Sequence, residues 1–175
     1  LAMKGLRFWL VALLVAGIVM VGAGAVFAAE TARDSKEHTV SVTIPESLRI
    51  KLDSTDVAFE LPANYDFEPA LLGPKSITVK VHVNKNVQWQ AKVRANSAFF
   101  LSGGVESNKA ASDLMWSLSS TDNFASMSTT DATVLSGTGN TGGWYAEEVY
   151  YKLNITGTEL AGEYSLTVIY TLVTL

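Results

Sequence analysis

The chain has 175 residues, no cysteine, 13 basic against 17 acidic side chains and a formal charge of −4. Without a thiol it has no cysteine nucleophile, no thiolate metal site and no disulfide, so its fold must rest on core packing, which a chain of this length can supply. The acidic balance argues against nucleic acid and anionic lipid as partners, because their phosphates draw Lys and Arg.

The chain opens on a basic segment with Met3, Lys4 and Arg7, followed by an uncharged apolar run from Phe8 to Val21. Small residues follow, and Val26-Phe27-Ala28 places small side chains at the recognition positions of a cut ahead of Ala29. Residues 1–28 therefore read as a hydrophobic leader helix, a secretory signal peptide. The uncharged stretch from Phe8 to Ala29 is also long enough to stay as an anchor, and the basic residues before it would leave the tail facing outward. Either way the protein is expected outside the cytoplasm, extracellular or at the cell surface, and touching a membrane only through this leader. Loss of Lys4 and Arg7 with the leader leaves 11 basic against 17 acidic residues, a charge of −6. Residues 29–38 are polar and non-periodic, the signature of a flexible charged arm.

From residue 39 to 175 the pattern is strand after strand. Val40, Val42 and Ile44 alternate with polar residues from Thr39 until Pro45 interrupts; Leu48, Ile50 and Leu52 follow, then Val57, Phe59 and Leu61. Residues 62–75, with Pro62, Pro69 and Pro74, read as a long connection. Ile77 to Val83 and Val87 to Val93 alternate strictly on either side of Asn84-Lys85-Asn86, which predicts a hairpin. Further alternating runs include Leu114–Leu118, Val149–Ile155 and Tyr164–Leu172, with a Ser/Thr-rich stretch at 119–133 and a glycine-rich turn region at 137–143. No sustained 3.6-residue period appears after the leader. Eight to ten strands in one domain predict an all-β fold, an antiparallel immunoglobulin-like β-sandwich.

Catalytic and metal-binding patterns are sparse. His38 lies in the arm and His82 on the polar side of a strand, neither beside a glycine-rich nucleophile turn. Glu147 and Glu148 are adjacent on a strand and so point to opposite faces. Asp53-Ser54-Thr55-Asp56 offers oxygens of the kind calcium takes, but without EF-hand spacing, and Asx-turn chemistry uses the same residues. The reading is of a chain with no cofactor and no reaction. Trp89 and Trp116 fall on apolar faces and are expected in the core. Trp144, after Gly142-Gly143 and before Tyr145, is expected to be exposed, where it either stacks on a sugar or closes the end of the domain.

The segments STTDATVLSGTGNTGGW and TGTELAGEYSLTVIYTL, with the opening TVSVTIPESLRI, resemble the closing loops, last strand and first strand of exported bacterial surface sandwiches. These include pilus-like and envelope-coat subunits and the WxL cell-wall-binding domains. Trp116-Ser117-Leu118 matches the first WxL motif, whereas Tyr170 stands where the second has tryptophan, ahead of Leu172. Two functions follow. In the first, the chain is a structural subunit that self-associates into a homo-oligomer or filament, with Thr39, Val40, Val42 and Ile44 as a strand donated to a neighbour's sheet edge. In the second, it is a module for cell-wall polysaccharide or another glycan, with Trp116, Leu118, Trp144, Tyr145, Tyr170 and Leu172 as contacts.

Overall fold

The computed structural model describes residues 38–175; the leader and all of the arm before His38 lie outside the described residues. The chain divides into two units, residues 1–43 and 44–175, and among the described residues the strands lie in the second. Eleven strands occupy about half of the described residues: β1 Leu48–Leu52, β2 Ala70–Val83, β3 Gln88–Ala95, β4 Phe99–Ser102, β5 Val105–Ala110, β6 Leu114–Ser117, β7 Ala125–Ser126, β8 Ala132–Thr138, β9 Tyr145–Ile155, β10 Tyr164–Ser165 and β11 Val168–Thr174. The described residues contain no α-helix, only a 3-10 turn at Ala111–Asp113.

All pairings are antiparallel, in a five-stranded sheet of order β1-β2-β9-β6-β7 and two three-stranded sheets, β11-β3-β8 and β10-β4-β5. One hydrophobic core draws on all three. From β2 it takes Ile77, Val79, Val81 and Val83, from β9 Val149 and Tyr151, from β3 Trp89, Ala91, Val93 and Ala95, and from β4 Phe100. These are the alternating residues of the sequence, because in a strand every second side chain points to the same face.

Three expectations change. The runs at 77–83 and 87–93 do form strands, but they are not a hairpin. β2 pairs with β1 and β9, whereas β3 pairs with β11 and β8. Alternation reports which face is buried, not which strand lies alongside, and here the Asn84–Asn86 link carries the chain from one sheet to another. Residues 57–61 form no strand, although Val57 and Phe59 pack against the core as partly buried side chains. Residues 38–47 carry no strand either: Val40 and Val42 are each 83% exposed and Ile44 75%. A strand exists only through a ladder partner, and this segment has none among the described residues.

Other boundaries shift for local reasons. β2 begins at Ala70, inside the expected connection, and its register with β9 slips between Leu72 and Lys75, around Pro74, which has no N–H for the ladder. β8 rises out of the Ser/Thr/Gly-rich region. A register shift opposite Ala91 and Lys92 lets consecutive Val134 and Leu135 both be buried. Gly137 in β8 lies against the Trp89 ring, where an added Cβ would sit 2.5 Å from a ring carbon. The last expected strand is two: Tyr164–Ser165 joins β4, and Val168–Thr174 joins β3.

Candidate functional site

Residues 45–47 are fixed to the turn after β2. The Asn84 side-chain amide donates to the Pro45 carbonyl at 2.8 Å, and its carbonyl oxygen accepts from the Ser47 N–H. Lys85 and Glu46 form an ion pair at 3.0 Å. The candidate donor residues Thr39, Val40, Val42 and Ile44 thus precede an anchored point, with their three apolar side chains uncovered.

Unit 44–175 contains a cleft of about 810 Å³ lined by Leu52, Val57, Phe59, Leu166, Val168, Tyr170 and neighbours. It lies where the end of β1 and the following 53–61 segment meet the 155–170 region. β1 and β11 are the outermost strands of their sheets. At its wall Lys109 is 4% exposed and fully engaged, by Glu159 at 2.7 Å, Asp113 at 3.3 Å and the Asn154 carbonyl at 2.8 Å. Burial opposes the charge on Glu159, but the Lys109 hydrogen bond and the Thr156 N–H outweigh it and hold that carboxyl down at about 2. The Tyr65 hydroxyl, also lining the cleft, is buried and has no hydrogen-bond partner among the described residues.

The glycan candidates separate into two groups. Trp116 lies opposite Tyr151 in the β6–β9 ladder, and the Tyr151 hydroxyl shares a short hydrogen bond with Tyr170 on β11. Burial pushes the Tyr151 hydroxyl up to about 12 and Tyr170 higher still. This brings Trp116 and Tyr170, the two halves of the motif resemblance, to the same neighbour, Tyr151. Trp116, Tyr170 and Leu172 all pack against the core, while Leu118 is 47% exposed.

Trp144 is elsewhere and exposed, with the Lys51 ammonium 4.7 Å from its ring centroid and the His82 ring 5.6 Å away. Tyr145, the next residue, turns to the opposite face and contacts Trp89 at 6.2 Å. The two rings therefore do not make one stacking platform.

The remaining polar candidates have local partners. Glu147 accepts from the Tyr145 hydroxyl and Glu148 from the Tyr150 hydroxyl, on opposite faces of β9. The Asp53 carboxylate accepts from the Thr78 N–H at 2.7 Å and the Thr78 hydroxyl at 2.6 Å, which holds it below its ordinary value. No group of three or more His, Asp or Glu side chains that could hold a metal occurs among the described residues.

Sequence reasoning missed the Lys109 cluster, whose members lie up to 50 residues apart. It also missed the outer face around Trp144, which needs the β1–β2 register. The cationic spacing of Arg49-Ile50-Lys51 and Lys80-Val81-His82 was the available signal. A scan against protein-family models gives no match, and neither does a search of curated proteins.

Proposed function

We propose that this chain is a non-catalytic, exported surface protein, an immunoglobulin-like β-sandwich that serves as a subunit of an extracellular filament or envelope coat. Assembly runs by strand donation: Thr39–Ile44 of one copy enters the cleft beside β1 and β11 of the next. The observation that carries this reading is the coexistence of an uncovered alternating row, Val40, Val42 and Ile44 at 75–83% exposure, with a cleft beside two strands whose outer edges have no ladder partner among the described residues.

The energetics suit a transfer of this kind. Burying each of the three side chains is worth roughly 1.5–3 kcal/mol, and the segment's backbone N–H and C=O groups gain ladder partners. Part of that gain is spent on association entropy. The alternation fixes the register, since a slip of one residue turns all three side chains out. The partners are other copies of the chain, not nucleic acid.

Sedimentation velocity tests the reading. The parent protein should form concentration-dependent oligomers that Val40→Asp with Val42→Asp abolishes. A parent that stays monomeric at high concentration across pH and salt overturns it.

The second reading, a wall- or glycan-binding module, is favoured by the approach of Trp116 and Tyr170 through Tyr151. It predicts retention on purified cell walls by a monomer.

A further inference from the structure

The outer face of β1, β2 and the start of β9 carries charge in an arrangement that costs stability. In the β1–β2 ladder Arg49 is directly opposite His82, and Lys51 directly opposite Lys80. All four alternate with the inward residues Ile50, Val81 and Val83, so they share one face. The ladder between β2 and β9 extends this face to Trp144, whose ring contacts both Lys51 and His82. Like charges directly opposite each other, as Lys51 and Lys80 are, destabilise a sheet. Among the described residues no carboxylate comes within ion-pairing distance of Arg49, Lys51 or Lys80. The next row, Asp53–Thr78–Glu148, is acidic, but Asp53 is bound to Thr78 and Glu148 to Tyr150.

The other three-stranded face of the core shows the ordinary solution. There Lys92 lies between Thr171 and Thr133, and Arg94 is 3.5 Å from Asp131. The opposed cations are therefore a local feature in a chain of net charge −4.

We propose that the face formed by Arg49, Lys51, Lys80, His82 and Trp144 binds a carboxylate-bearing polysaccharide, a polyuronate. Bound carboxylates relieve the opposed charges, and the Trp144 ring, 42% exposed, offers a flat apolar surface to the C–H face of a sugar. A sugar chain fits better than a phosphodiester. The cationic patch is only two rows deep before Asp53 and Glu148, so it meets a few carboxylates of the chain at a time, and the exposed Trp144 ring beside it gives a sugar face a contact that a duplex backbone lacks. This inference goes beyond self-assembly and does not depend on it, because the face lies on the outside of the five-stranded sheet and the cleft does not include it.

Titration calorimetry of the full chain with polygalacturonate tests the proposal, with neutral dextran, duplex DNA and phosphatidylserine vesicles as parallel arms. Polygalacturonate should bind and weaken steeply with salt, and dextran should not bind. Lys51→Gln with Lys80→Gln should lower affinity about tenfold or more, as expected when two ionic contacts to a polyanion are lost. Trp144→Ala should lower it with the salt slope unchanged, and Lys92→Gln should leave it intact.

A thermal melt supplies a readout that a purely structural role would not give. Lys80→Gln alone should raise the midpoint of the free protein while weakening binding. The proposal is overturned by no polygalacturonate binding at low salt, by equal loss with Lys92→Gln, by a lowered midpoint for Lys80→Gln, or by tighter binding to DNA or to the vesicles.

Discussion

Two groups of lysines in this molecule solve opposite problems. Lys109 is buried, yet two carboxylates and a carbonyl surround its ammonium within 3.3 Å. Lys51 and Lys80 are at the surface and face each other across a ladder with no carboxylate in range among the described residues. A charge removed from water must be matched within the fold. A charge left in water can be held against its like at small cost, and then is available to something outside. Burial alone would have ranked the two the other way round as functional candidates. Partner satisfaction separates them: the Lys109 cluster joins β5, the 3-10 turn and the 155–160 loop, and the Lys51–Lys80 face waits for a ligand.

The largest effect expected from this contrast is on stability. Lys109→Ala leaves Asp113 and Glu159 without their cation and should cost on the order of 3–5 kcal/mol in urea denaturation, with polygalacturonate affinity unchanged. A loss under about 1 kcal/mol would place the cluster among ordinary surface ion pairs and remove the contrast.

Core packing gives a reference of similar size. Trp89→Ala should cost roughly 3–5 kcal/mol, whereas Gln90→Ala, on the outward side of the same strand, should stay within about 0.5 kcal/mol. Gly137→Ala pushes a methyl into the Trp89 ring and should cost about 1–3 kcal/mol.

Acid sharpens the comparison further. Glu159 titrates at about 2 in the fold against an ordinary value of 4.5. A carboxyl depressed by folding contributes stability that is fully present above its unfolded value and is lost as pH falls through the folded one. Denaturation midpoints should therefore drop between about pH 4.5 and 2, and Lys109→Ala should flatten that dependence. The smallest effect belongs to the surface pair: Lys80→Gln should stabilise by about 0.2–1 kcal/mol, a gain that high salt erases.

How far the sequence was legible follows from what each signal measures. Period-two alternation identified the faces of β2, β3 and β9, because burial on one side of a strand imposes it directly: Val79, Val81 and Val83 went inward as expected, as did Trp89, Ala91 and Val93. Alternation is silent on partners, and so the Asn84–Asn86 link looked like a hairpin turn when it joins two sheets. β8 was hidden because its Thr, Ser and Gly residues carry little apolar signal, and Gly137 is present to make room for Trp89 rather than to turn the chain. The cationic face was legible only in halves: the spacing of Arg49 with Lys51 and of Lys80 with His82 places each pair on one side of its strand, but not against the other. Lys51 and Lys80 are brought together by a pairing that spans the whole 53–69 connection, and only the register of β1 against β2 shows them opposed. Trp144 and Tyr145 were both candidate glycan contacts; the first meets Lys51 and His82 on the outer face and the second meets Trp89 on the other.

The absence of cysteine makes the assembly claim directly testable by disulfide trapping. Val42→Cys in one preparation and Leu166→Cys in another place single thiols on the donated row and in the cleft. Mixed and oxidised, the two variants should form a covalent dimer containing one copy of each, faster than either variant dimerises alone. The Val42→Cys/Leu166→Cys double variant should give a ladder of linked chains. No mixed dimer, or a double variant that closes only on itself as a monomer, would contradict donation between copies.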